Sequence, residues 1–93
     1  MYEYVADVLE RRRPHREAHL ALVDRWHEGK GLLVAGATGD PPTGALFVFA
    51  LPEAAIEEFV AADPYVAAGL VTSHRTLPWN VVVWGAPPGE VDG

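Results

Sequence analysis

No cysteine occurs anywhere in the 93 residues. A disulfide framework, a thiolate metal site and a cysteine nucleophile are therefore all excluded. Positive charge is also scarce, because Lys and Arg number 7 against 13 Asp and Glu, for a net charge of −6. The one basic cluster, Arg11, Arg12, Arg13 and Arg16, is too small to supply the counterion release on which phosphate binding depends. Nucleic acid is not an expected partner, and the arginine run reads as the solvated start of a helix. No stretch approaches the roughly 18 apolar residues of a membrane span. The opening "MYEYVADVLE" also lacks the basic and then apolar pattern of a signal peptide. The expectation is a soluble, cytoplasmic protein with no membrane partner.

What is present is an ordinary globular composition, 49% hydrophobic and 22% charged, in a chain long enough for one small core. A single domain is expected over residues 1–86, with the polar segment 87–93 as a flexible tail. "MYEYVA" is a short candidate strand. "PHREAHLALVDRWHEG", Pro14 to Gly29, reads as one amphipathic helix, with proline in its first turn and glycine as its left-handed cap. "GLLVAG" and "ALFVFAL" flank the Gly- and Pro-rich turn "TGDPPTG" as a β-hairpin. "PEAAIEEFVAAD" places Ala55, Ile56, Phe59 and Val60 on one helical stripe and breaks before Pro64, "PYVAAG" adds a turn, and "LVTSHRTLPWNVVVWG" supplies the last strand.

This order is βαββαβ, the ferredoxin-like arrangement of a four-stranded antiparallel sheet with two helices on one face, an α+β fold. The strands demand more. "ALFVFA" is apolar throughout and "VVVW" nearly so, whereas a sheet with one solvated face alternates apolar with polar residues. A second covered face is expected, and a second copy of the chain, sheet against sheet, is the economical cover.

Around the first helix, His19 falls within the apolar stripe, at roughly 40° from His15 on the wheel and between Trp26 and Val23. His27 lies at the margin of that stripe. Three roles are open to His19. It can be a core histidine satisfied by a backbone carbonyl. It can share a metal with His15, four residues earlier, although "HREAH" matches neither H-E-x-x-H nor H-x-x-E-H and no third ligand follows at a telling spacing; no metal is expected. It can be a general acid or base if a carboxylate orients its other ring nitrogen. Asp63 in "AADPY" is the best-placed carboxylate. Its alternative role is to cap the turn that follows, with one oxygen capping and the other accepting from His19.

"HREAHLALVDRWHEGKGLLVAG", the hairpin, "AADPYVAAGLV" and "LPWNVVVW" together resemble the YCII-related family, from about Arg13 to Trp84. That family shows a histidine before leucine in its first helix, a "GKLLLAGP"-like strand, a "DPF-x-x-AGL" turn and a closing "RPW" strand. The resemblance implies a ferredoxin-like dimeric α/β barrel whose cleft holds a His–Asp dyad, carried here by His19 and Asp63. Gly36 and Trp79 are then expected to flank the substrate. Three features depart from the pattern: the first strand is short, Ala37 stands where proline is frequent, and Leu77 replaces the arginine before Pro78. Arg75, two residues earlier, is a candidate to take over that arginine's contact. Trp26 and Trp84 read as core or interface residues.

The function this implies is cofactor-independent general acid/base chemistry, an elimination or isomerisation, on a small polar or aromatic substrate. The alternative is a non-catalytic binding or assembly module in which the dyad is a structural hydrogen bond. A monooxygenase on the same architecture is a third reading, for which no haem-ligand pattern stands out.

Overall fold

The computed structural model describes residues 1–83. Its strands are β1 (Tyr2–Tyr4), β2 (Leu32–Thr38), β3 (Gly44–Phe49) and β4 (Val71–His74). Its helices are α1 (Val8–Arg11), α2 (Arg16–His27), α3 (Glu53–Ala62) and α4 (Pro64–Ala67), with a 3₁₀ turn at Arg13–His15 ahead of α2. The strands form one sheet in the order β2-β3-β1-β4, every neighbouring pair antiparallel. This is the ferredoxin-like order, and it places the shortest strand, β1, in the middle.

Three elements differ from expectation, the first being the short helix α1, over a charged stretch to which the sequence pattern assigns no element. The helix expected from Pro14 to Gly29 begins as a separate 3₁₀ turn, because Pro14 has no N–H to donate and sits where the chain is still tightening. The last strand ends at His74. Backbone pairing with β1 reaches Arg75 and Met1, and among the described residues 76–83 join no strand although Val81, Val82 and Val83 are all apolar. Trp84 and the segment 87–93 lie outside the described residues.

Packing follows from alternation along the strands. Tyr2, Ala45, Phe47 and Phe49 face the helices and meet Leu22, Phe59 and Val60. Phe59 stands 5.3 Å from both Phe47 and Phe49, ring centre to ring centre, and 5.4 Å from Trp26. A smaller cluster of Val8, Tyr65 and Leu70 closes one end. Gly44 lets β3 approach β1, since a Cβ there would collide with the Tyr2 carbonyl oxygen. Gly69, at φ +75°, ends the turn after α4 in the left-handed region that glycine adopts without strain.

The other sheet face is not covered by a helix among the described residues. Val34 and Gly36 pair with Val48 and Leu46, on the side away from Phe47, and Val34 and Leu46 are 47% and 43% exposed.

Candidate active site

Three segments distant in sequence bring their polar groups together beneath the sheet. His19 comes from the buried stripe of α2, beside Leu22. Asp63 sits between α3 and α4 with extended backbone, the conformation that the following proline favours. Tyr2 comes from β1, and Tyr65 from the first turn of α4.

Asp63 is fully buried and His19 nearly so. His19 Nδ1 lies 2.8 Å from Asp63 Oδ1. The same oxygen accepts from the Tyr65 backbone N–H at 3.0 Å, and Oδ2 accepts from the Tyr2 hydroxyl at 2.8 Å. Capping and histidine binding thus share one oxygen instead of dividing between two. The other is taken by a tyrosine that sequence reasoning did not single out.

The donor set decides the protonation pattern. A backbone N–H can only donate, and the Tyr2 phenol is pushed far above its ordinary range, first by burial, then by the negative charge of Asp63 and the hydrogen bond to it. Both groups therefore present hydrogens to Asp63, which suits an ionised carboxylate. His19 then donates through Nδ1–H, and in the neutral ring the lone pair is on Nε2. Nε2 has no hydrogen bond among the described residues, yet Tyr65 Oη is the one fully enclosed side-chain polar atom without a partner there. The His19 side chain as a whole keeps 8% of its surface exposed.

Tyr65 stacks flat on His19, ring centres 3.8 Å apart and planes within 4°. Tyr4 stands edge-on to Tyr65 at 6.1 Å. Its phenol is pushed up to about 12 by burial, then by Tyr65 and Asp63, against the opposing charges of Arg12 and Arg16. Those two arginines, read from sequence as a solvated helix start, thus lie within electrostatic reach of the site.

The remaining expected residues lie elsewhere. Arg75 and Trp79, the latter 62% exposed, border a cavity of about 780 Å³ with Leu33, Leu46 and Phe49, and neither His19 nor Asp63 lines it. Tyr2 borders that cavity while its hydroxyl holds Asp63. Gly36 lies on the open face, where an added Cβ would meet nothing within 4 Å. His15 closes the 3₁₀ turn, and among the described residues no three His, Cys, Asp or Glu side chains converge on a common point. His27 Nδ1 is 2.9 Å from the Leu32 carbonyl and donates to it. No helix among the described residues is long and apolar enough to cross a membrane.

The model of the YCII-related domain matches residues 1–80. The chain belongs to the YCII-related family. Among solved structures, this YCII-related chain is similar to 5-chloro-2-hydroxyhydroquinone dehydrochlorinase from Burkholderia phenoliruptrix AC1100, in complex with 2,5-dihydroxybenzoquinone. Identity is 24% and the TM-score 0.70, over 85% of this chain and 88% of that one. At that identity the likeness establishes the shared fold. No curated protein matches the chain.

Proposed function

We propose that this YCII-related protein is a small-molecule enzyme in which His19, oriented by Asp63, moves a proton in a cofactor-independent elimination or isomerisation. The observation that carries the reading is the buried 2.8 Å contact between Nδ1 and Oδ1, which leaves Nε2 as the free basic atom. A base held this way needs no reorganisation before it accepts a proton, and the adjacent carboxylate stabilises the imidazolium that results. In an elimination, Nε2 takes a proton from one carbon, the electrons of that C–H bond become a double bond, and the leaving group departs from the neighbouring atom with its electron pair. The dehydrochlorinase of similar fold is named for a reaction of this type. Arg75, Trp79 and Gly36 remain proposed substrate contacts, which would require the substrate to extend from the dyad toward the cavity and the open face.

The experiment is chloride release from 5-chloro-2-hydroxyhydroquinone and related chlorinated hydroquinones. Turnover by the wild type should fall about 10²–10⁴-fold in His19→Ala, with the fold retained. Undiminished turnover in that variant would remove His19 from the chemistry.

A structural reading is favoured by one observation, the complete burial of Asp63 with all three of its hydrogen-bond donors supplied by the protein itself. Under that reading His19→Ala lowers the melting temperature, and no ligand-dependent stabilisation exists to be lost.

The open sheet face is proposed to pack on a second copy of the chain, giving a homodimer in a cytoplasmic setting. Support comes from Leu33, Val34 and Leu46, each more than two-fifths exposed on this sheet, an apolar surface that a lone soluble chain rarely presents.

A further inference from the structure

Resting on the reading of His19 as the proton-transfer group, we infer that the Tyr65 hydroxyl is a specificity contact of the same site. It would bond an oxygen of the substrate, so the substrate is a ring bearing a hydroxyl, oxo or carboxylate group near the atom that gives up its proton. Tyr65 is 1% exposed, and its Oη has no hydrogen-bond partner among the described residues. Buried hydroxyls are almost always paired, since leaving one unpaired is costly, and the exceptions concentrate where a ligand completes the bond.

The location is specific. One oxygen, Asp63 Oδ1, bonds both the Tyr65 backbone N–H and His19 Nδ1, and the two rings lie flat on each other. The carboxylate thus anchors the His19 ring and the Tyr65 backbone together, and the stack holds the phenol against the imidazole at 3.8 Å. A ligand oxygen bonded to Oη would therefore lie close to the His19 imidazole. Val8 and Leu70 wall the phenol in, and Tyr4 stands edge-on at its margin. Tyr4 is only half-buried, so its ring is the part of the wall a substrate displaces. Arg12 and Arg16, near Tyr4, favour an oxygen that carries negative charge.

The test is Tyr65→Phe in the full chain, which keeps the ring on His19 and removes only the hydroxyl. Binding is measured for matched pairs, 2,5-dihydroxybenzoquinone against 1,4-benzoquinone and 4-hydroxybenzoate against benzoate. The wild type should prefer a hydroxylated member by about tenfold, the value of one hydrogen bond. Tyr65→Phe should erase that preference, while its melting temperature is unchanged or higher because an unpaired polar atom has gone. A clear fall in melting temperature would show that the hydroxyl already has a partner in the free protein, and would overturn the inference. Preference surviving in Tyr65→Phe, or absent from the wild type in both pairs, would overturn it equally. Binding is read without turnover, so either of those results leaves the role of His19 standing. Turnover that survives His19→Ala removes the role of His19 and leaves the binding comparison intact.

Discussion

The two faces of the sheet draw on similar apolar residues and meet different surroundings. On one, Tyr2, Ala45, Phe47 and Phe49 lie under α2 and α3, and the side chains that close the core also enclose the carboxylate and imidazole. On the other, Val34, Gly36, Leu46 and Val48 run in register, and among the described residues no helix lies above them. The covered face can hold a charged group because its donors are supplied from several elements of the same chain. The open face carries few polar groups, among them Glu3, which accepts from Ser73 at 2.6 Å. Polar chemistry in a domain this small thus depends on enclosure by its own helices, whereas an uncovered apolar face suits association.

Asp63→Ala should break the covered face most severely. It leaves the Tyr2 hydroxyl, the Tyr65 N–H and His19 Nδ1 without their acceptor, at an expected cost of about 3–5 kcal/mol, read by urea denaturation. A cost below about 1 kcal/mol would mean that water replaces the carboxylate readily.

Tyr2→Phe removes one bond to the ionised group and should cost about 1.5–3 kcal/mol at neutral pH. It also tests a pH dependence. Folding raises both the Tyr2 and Tyr4 phenols, so the unfolded chain releases those protons first as pH increases. Their contribution to stability is complete below about pH 10, the unfolded phenol value, and is lost as pH rises through about 12 for Tyr4 and higher still for Tyr2. Stability measured from pH 8 to 11 should decline in the wild type and decline less steeply in Tyr2→Phe; equal slopes would contradict the assignment.

Gly44→Ala places a methyl against the Tyr2 carbonyl and should cost about 1–3 kcal/mol by forcing β3 away from β1. A crystal structure of that variant with β1 unmoved would show the strand approach to be dispensable. The smallest effect on chain stability, within about 0.5 kcal/mol, is expected from Leu46→Lys on the open face. There the informative readout is sedimentation, in which the lysine variant should run as a monomer where the wild type dimerises. A monomeric wild type at micromolar concentration would end the dimer proposal.

His19 and Asp63 were legible because each violates a local pattern. One is an ionisable residue inside an apolar helical stripe, and the other is an aspartate forced out of helix by Pro64. Tyr65 had a signal too, directly after that proline in "DPY", but its hydroxyl's isolation is visible only once Val8 and Leu70 surround it. Tyr2 carried no comparable mark. Its role arises because β1 lies between β3 and β4, which brings it to a carboxylate 61 residues away. Arg75 and Trp79 were chosen on the resemblance to the family's closing strand, yet pairing stops near Arg75. An apolar run predicts a strand only where a neighbour offers its backbone.

By itself the sequence determined the element order, the helix stripe that carries His19, the break at Asp63 and the excess of apolar strand residues. These depend on periodicity, on proline's fixed geometry and on residue type, all properties of neighbours along the chain. The tertiary structure decided which sheet face the helices cover and which donors meet the carboxylate. Among the described residues it also left one phenol without a partner, because contacts between remote segments are set by strand order and packing, which local pattern does not encode.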